Sequence, residues 1–202
     1  MFIWSALAHL VALTSPGPDT AIVIRQVSLY GKYEGIKTSL GIGIGIYIHC
    51  LLAVNGISIL ILANEMYKFL ITFIGGIYIT YLGINIVINK SIETFNYHHP
   101  VPKYKSSLLI GLFTNLFNVK AFLFFISVFS ILIEESVGIF TYIYPVYFAL
   151  VSSTWFIFIT YIFTAFKNQL SYNISRILQY IMSLMLCVIG ISILFKSIYE
   201  YF

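Results

Sequence analysis

Long apolar runs separated by short polar stretches make up this chain of 202 residues. A helix needs about 20 apolar residues to cross a bilayer, so each run is long enough for one membrane-spanning helix. The pattern predicts an all-α integral membrane protein with six spans, at about 2–24, 38–63, 69–89, 107–133, 141–165 and 177–195. The longest connection, about 90–106, divides a single transmembrane domain (1–202) into halves of about 1–97 and 98–202.

Two residues with a formal charge lie inside predicted spans. Lys120 is the single ionisable residue between Ser107 and Ile133, and Asp19 lies in the first apolar run. A charge at bilayer depth costs about 2.5–3.5 kcal/mol on insertion scales, so such residues face a partner or a water-filled path. We therefore expect both residues to lie at a functional site, away from lipid.

The first span contains a sequence that a regular helix cannot accommodate. Pro16, Gly17 and Pro18 remove two backbone donors and one steric restraint just before Asp19. They predict an unwound stretch facing protein or a wet cavity, followed by a new helix whose N-terminus favours an anion such as an amino-acid carboxylate. The alternative is that Asp19 only caps this second half-helix.

Three polar side chains in the fourth span form a second candidate group. Asn115 and Asn118 are three residues apart and share a helix face, with Lys120 following. We expect Lys120 to pair with Asp19 or with a substrate carboxylate, and to be available for proton coupling. The alternative is that an Asp19–Lys120 pair merely fixes two helices together. Because Val119–Lys120 follows Pro18–Asp19 by 101 residues, half the chain, the halves are predicted to be inverted repeats of three spans.

Composition and charge support a membrane protein and give it an orientation. The chain is 60% hydrophobic and 9% charged, against about 25% charged in soluble domains, and its net charge is +4. We attribute this positive charge to topology rather than to nucleic-acid binding, because Lys and Arg are enriched in cytoplasmic loops. The predicted loops one, three and five hold eight basic residues and the opposite side holds Lys68 and Lys196, which predicts N-out and C-out. No Lys or Arg precedes Arg25, so we expect the first span to be retained.

Several smaller features have structural interpretations. Gly41 and Gly45, like Gly76 and Gly83, are spaced to let helices approach closely. Other residues that could carry chemistry are His9, His49, Cys50, Cys187 and the pair His98–His99. A histidine or cysteine in an apolar helix usually packs, but export of a metal ion stays an alternative function. We predict no metal site, no cofactor and no enzymatic activity, because no CxxC or nucleophile–base pair is visible.

Several motifs together resemble the LysE/RhtB family of small-molecule exporters. Leu13-Thr-Ser-Pro-Gly-Pro-Asp-Thr20 resembles the family's Pro-Gly-Pro motif, and Gly31, Gly35, Gly41 and Gly45 follow its glycine spacing. Gly76-Ile-Tyr-Ile-Thr-Tyr-Leu-Gly83 resembles its Gly-x-x-Tyr-Leu-x-Tyr-Leu-Gly stretch. Asn118-Val-Lys-Ala121, followed by Phe124 and Phe125, resembles its Asn-Pro-Lys-Ala element. Val119 replaces the family's usual proline, and Ser130 stands where a Leu-Pro-x-Phe turn is common; both departures argue against a broken fourth helix.

The resemblance implies a secondary-active exporter of amino acids in the bacterial inner membrane, driven by antiport with protons. The expected partners are an amino-acid substrate, protons and the lipid bilayer; a homodimer is compatible with so small a transporter, and nucleic acid is not a partner. The predicted binding or coupling residues are Pro16, Gly17, Pro18, Asp19, Asn115, Asn118 and Lys120. Two alternatives remain from the residues: a metal or cation exporter of similar shape, and a non-transporting assembly subunit.

Overall fold

The described part of the protein consists of eight helices without β-strands. The computed structural model describes residues 2–15, 17–57, 63–88, 106–135, 140–167 and 172–201. The helices are α1 (Phe2–Thr14), α2 (Pro18–Tyr30), α3 (Lys32–Val54), α4 (Glu65–Ile88), α5 (Ser107–Leu116), α6 (Val119–Glu135), α7 (Phe140–Lys167) and α8 (Tyr172–Tyr201). Four of them, α3, α4, α7 and α8, are long and apolar enough to cross a membrane, and the number of spans is six if each of two bent helix pairs counts as one span. The prediction of an all-α membrane protein with up to six spans is confirmed.

The first span is broken where the prolines predicted. Helix α1 ends at Thr14, Gly17 is extended at φ −171°, and α2 begins with Pro18 in its first turn. The two helices meet at 52°. Proline suits the first turn of a helix because the N–H that it lacks has no acceptor there. Pro16, the first residue of the motif, lies outside the described residues.

The fourth span is also broken, which corrects the expectation drawn from Val119 and Ser130. Helices α5 and α6 meet at 60° around Phe117 and Asn118. No proline is present at this break, and α6 instead begins at a capping side chain. Asn118 Oδ1 accepts a hydrogen bond from the Lys120 backbone N–H at 3.1 Å. A side-chain oxygen bonded two residues ahead is an N-cap, and asparagine is among the best capping residues.

Helix α3 forms the centre of the bundle and packs against both α5 and α7. Its glycines allow this close approach, because a Cβ on Gly41 would collide with the backbone of Leu108. On the facing helix, a Cβ on Gly111 would collide with the backbone of Thr38. A further link joins α2 to α5, where Ser107 Oγ donates to Gln26 Oε1 at 3.1 Å in a fully buried position.

Helices α4 and α8 pack along their length as a second unit. Glycines again lie at the interface: a Cβ on Gly83 would be 2.6 Å from Cys187 Sγ, and one on Gly76 would be 2.8 Å from Leu194 Cγ. The Ser183 hydroxyl donates to the Gly83 carbonyl at 2.7 Å, which fixes the register of the two helices. Cys187 is a free thiol packed in this interface.

The helix order matches what two related halves would give. Each half supplies a broken span followed by two long helices, and the corresponding helices α3 and α7, like α4 and α8, pack together. The division into halves stays a prediction, since most of the 90–106 connection, including His98 and His99, lies outside the described residues. Several loop placements were wrong, because the helices extend beyond the predicted spans. Arg25 lies well inside α2, which continues to Tyr30. Near helix ends lie four more of the basic residues assigned to loops: Lys32, Lys37, Lys167 and Arg176.

Candidate functional site

The two broken spans meet, and their polar side chains converge at a small cavity. Asp19 is in the first turn of α2 and is 8% exposed. Its Oδ2 accepts hydrogen bonds from Asn115 Nδ2 and Asn118 Nδ2, both at 2.9 Å. Asn115 ends α5 and is fully buried, and Asn118 caps α6. The acid of the first span is thus bound by the two amides of the fourth, on either side of its break.

The second carboxylate oxygen of Asp19 is available for another group. Asp19 Oδ1 is buried and has no hydrogen-bond partner among the described residues. A buried oxygen of a carboxylate normally has a partner, and leaving one without costs free energy. Asp19 also lines the cavity, so a donor entering it would satisfy this oxygen. The alternative in which Asp19 only caps α2 is not supported, because its observed bonds go to asparagine side chains of other helices.

Lys120 lies in the same cavity, but its bonds differ from those expected. Its Nζ donates to the backbone carbonyls of Ala12 at 3.2 Å and Ser15 at 3.1 Å. The ion pairs of the described residues are Lys37–Glu34, Lys68–Glu200 and Lys196–Glu200, so the predicted Asp19–Lys120 pair is not formed in this conformation. The side chain is also exposed.

The carbonyls that bind Lys120 lie at the C-terminal end of α1, where Ala12 also accepts a hydrogen bond from the Ser15 backbone N–H at 3.3 Å. The last carbonyls of a helix have no partner within it and carry partial negative charge, so a cation is favourable there. Gly17 lies beside the amine, since a Cβ at that position would be in ordinary van der Waals contact with Lys120 Nζ, at 3.9 Å. The unwound stretch therefore presents a lysine on one side and, at Pro18, the positive end of α2 on the other.

The cavity has a volume of about 50 Å³, enough for a few water molecules. Besides Asp19, Asn118 and Lys120, its wall contains aromatic rings and one further ionisable residue, His9. His9 is 2% exposed, and its Nε2 is 2.9 Å from the hydroxyl of Ser152 on α7. The apolar sequence around His9 favours a packing role for this histidine. Its spacing from Ala12 and Leu13, which also face the cavity, could have placed it on the site face of α1.

His49, a second histidine in a membrane-spanning helix, contacts the end of α5. His49 Nε2 donates to the backbone carbonyl of Asn115 at 3.0 Å, which holds the last turn of α5 in place. Cys50, its neighbour, is completely buried. Within the described ranges, no three His, Cys, Asp or Glu side chains come together as metal ligands would. The metal-exporter alternative therefore has no supporting geometry in that part of the chain.

Glycines of α3 set the position of Asn115. A Cβ on Gly45 would be 2.6 Å from Asn115 Oδ1 and 2.9 Å from its Cβ. Only a residue without a side chain lets α5 come this close to α3 at the level of the site. Gly45 is therefore a positioning residue for the amide that binds Asp19.

A helical membrane protein with two discontinuous spans that enclose an acid, two amides and a lysine is a transport protein by architecture. The LysE type translocator family model matches residues 10–197. The chain belongs to this family.

Similar proteins include two whose names state a function. A threonine efflux protein of Escherichia coli (strain K12) is 32% identical over 143 residues, which cover 68% of this chain and 69% of that protein. A threonine efflux protein of Salmonella typhi is 30% identical over 142 residues, with the same shares of the two chains. An uncharacterized membrane protein, YrhP of Bacillus subtilis (strain 168), is 24% identical over 188 residues, 87% of this chain and 90% of that protein. No solved structure matches the chain.

Proposed function

We propose that this protein exports a free amino acid across the bacterial inner membrane by proton-coupled alternating access, with the substrate bound between the two broken spans. The observation that carries this proposal is the state of Asp19. One of its oxygens is held by two buried amides, and the other is buried without a hydrogen-bond partner in a residue that lines the cavity. Such a site is ready to accept an ammonium group or a proton.

Each end of an amino acid has a complementary group in the cavity. The substrate ammonium would donate to Asp19 Oδ1, while Asn115 and Asn118 keep the carboxylate fixed through Oδ2. The substrate carboxylate would lie at the N-terminus of α2 and beside Lys120. Backbone N–H groups of a first helical turn have no acceptor within the helix and favour an anion. Lys120 would exchange its two carbonyl partners for the carboxylate.

Coupling to protons follows from the same carboxylate. Substrate ammonium and a proton would compete for Asp19, since each neutralises its charge inside a buried site. Export of one amino acid would then be exchanged for entry of one proton. The names of the relatives suggest threonine as the first substrate to test.

The first prediction concerns the two charged residues. Cells whose growth is inhibited by single amino acids or their toxic analogues would identify the substrate by rescue, and inside-out vesicles would then give its transport rate. Asp19→Asn should lower this rate at least tenfold, because two hydrogen bonds to a charged oxygen, each contributing about 1.5–3 kcal/mol, become neutral. Lys120→Ala should lower it by a similar factor.

A suitable control is Lys37→Gln, which removes the exposed Lys37–Glu34 pair of α3 and should transport normally. Wild-type rates in Asp19→Asn and Lys120→Ala, at normal protein levels, would contradict the proposal. Absence of export by the wild type itself, at normal protein levels and with every amino acid tested, would favour the assembly-subunit alternative.

A further inference from the structure

A second cavity, of about 340 Å³, lies between α4, α6 and α8. It is larger than the cavity lined by Asp19 and Lys120, which we call the central cavity. This volume is in the usual range for small-molecule sites, about 300–1,000 Å³. One end of the cavity is apolar and is formed by Val119, Phe122 and Leu123 of α6. The other end is polar and is formed mainly by Lys68 of α4 with Lys196 and Glu200 of α8. We call it the lateral cavity.

The beginning of α6 lines both the lateral cavity and the central one. Lys120, Ala121 and Phe124 face the central cavity, whereas Val119, Phe122 and Leu123 face the lateral cavity. This alternation is what a single helix gives when its opposite faces border two spaces. This part of α6 begins at the break beside Asn118.

The polar end of the lateral cavity has the charges of an amino-acid site. Lys68 Nζ is 2.6 Å from Glu200 Oε2, and Lys196 Nζ is 3.6 Å from Glu200 Oε1. Two ammonium groups thus share one carboxylate, which leaves one positive charge in excess among the residues of the wall. The hydroxyls of Thr72 and Ser197, 2.9 Å apart, add neutral polar groups beside them.

We propose that the lateral cavity is a second binding site for a free α-amino acid, next to the central site. This inference rests on the proposed function. The substrate carboxylate would bind Lys68 and Lys196, its ammonium would bind Glu200, and its side chain would lie against the apolar face of α6. Lys68 and Lys196 are also the basic residues opposite the basic loops, so the site would face the exterior and hold the amino acid before release.

The ion pairs have a simpler interpretation, in which they only fasten α4 to α8. Those helices are already held by close glycine contacts at Gly76 and Gly83 and by the Ser183–Gly83 hydrogen bond. Ion pairs whose side chains are 37–72% exposed add little to such packing. Fastening also gives no reason for a cavity behind the charges.

Equilibrium binding tests the proposal with the full-length chain in nanodiscs. The probes are labelled L-threonine and, in parallel, a uniformly labelled mixture of the protein amino acids. We expect two bound molecules per chain in the wild type. Lys68→Gln/Lys196→Gln removes the carboxylate-binding charges, and Leu123→Trp fills the cavity without altering a charge; each should leave one. Asp19→Asn should also leave one, and Lys37→Gln should leave two.

The outcomes separate this proposal from the function on which it rests. One molecule per chain, lost in Asp19→Asn and retained in both lateral-cavity variants, would overturn the second site and leave the export proposal intact. A second result would also overturn the second site. If the wild type binds one amino acid and retains phosphatidylethanolamine, and Leu123→Trp loses that lipid, the lateral cavity is a lipid site. Absence of any bound amino acid would contradict both proposals.

Discussion

At the scale of single residues, the Asp19 carboxylate is held in position by hydrogen bonds to only one of its two oxygens. Asn115 and Asn118 donate hydrogen bonds through neutral amides, so they orient the acid without neutralising it. Its negative charge can then be neutralised by the proposed substrate. A lysine or arginine in place of either asparagine would neutralise the acid permanently. The amides thus explain how an acid can be fixed in position and still be free to exchange a proton or an ammonium group.

Asn115 in turn depends on Gly45, which gives a second prediction. Gly45→Ala would place a methyl group 2.6 Å from Asn115 Oδ1 and 2.9 Å from its Cβ, so α5 must move away from α3. Overpacking of this kind costs about 1–3 kcal/mol, and we expect export per folded molecule to fall more than about fivefold.

The matched control is Gly43→Ala on the same helix. Its methyl group would collide with the hydroxyl of Ser153, which can rotate away, and would lie 3.1 Å from the Ala149 carbonyl and 3.2 Å from Ser153 Cβ, contacts that a shift of a few tenths of an ångström would relieve. Export should remain within about twofold of the wild type, given that no group of the central cavity is displaced. Equal effects of the two alanines, measured in vesicles at matched amounts of folded protein, would remove Gly45 from the site.

At the scale of elements, Asn118 links the start of a helix to the binding of the acid. Its Oδ1 caps α6 and its Nδ2 binds Asp19, so one side chain both breaks the fourth span and connects it to the first. Any movement of α6 about the break therefore moves a ligand of Asp19. In the proposed mechanism, this connection would link the charge state of the acid to the orientation of the helix.

The two roles of Asn118 can be separated by substitution, which is the third prediction. Asn118→Ala removes the cap and the amide, and should lower the free energy of unfolding by about 1 kcal/mol from the cap alone. Asn118→Ser keeps an oxygen that can cap but lacks an amide to reach Asp19. We expect serine to regain most of the thermal stability in detergent, while export stays low in both variants.

Asn55→Ala provides the comparison for this series. Asn55 is the C-cap residue of α3 and is exposed. Its Nδ2 donates to the Leu51 carbonyl at 2.7 Å, and neither residue lines the central or the lateral cavity. Its loss should leave export unchanged. Full export by Asn118→Ser would show that the amide bond to Asp19 is dispensable and that Asn118 acts only as a cap.

The breaks of the two spans differ in how far sequence could predict them. Pro18 and Gly17 change the backbone directly, so the first break and the position of Asp19 after it followed from covalent structure. The second break depends on a side-chain hydrogen bond of Asn118, and a search for proline missed it. The partners of Lys120 were also missed, because the carbonyls of a helix end become available only after the helix has broken.

At the scale of the whole molecule, the spans, the family and the polar centre were predictable, whereas the cavities were not. Hydrophobic run lengths fix the spans, and two intramembrane charges indicate where the halves meet. The lateral cavity joins residues of α4, α6 and α8 that are distant in sequence and unremarkable one by one. Its position depends on the angle at the second break, which no local pattern specifies.

Orientation in the membrane is the last prediction, and it bears on both proposed sites. With Arg25 assigned to α2, the predicted cytoplasmic side still holds seven basic residues, against Lys68 and Lys196 on the other. This bias favours N-out and C-out. Alkaline phosphatase fused after residue 202 should be active and green fluorescent protein there should be dark, with the opposite result for reporters inserted within 90–106.

The reverse pattern would place both chain ends in the cytoplasm and direct the lateral cavity inward. The cavity would then receive amino acids before transport rather than hold them before release, because Lys68, Lys196 and Glu200 lie at its polar end. The central site would be unaffected, since Asp19 and Lys120 are bound by groups near the two breaks and not by either membrane face. Orientation thus decides the direction in which α6 must move during export, but not where the substrate binds.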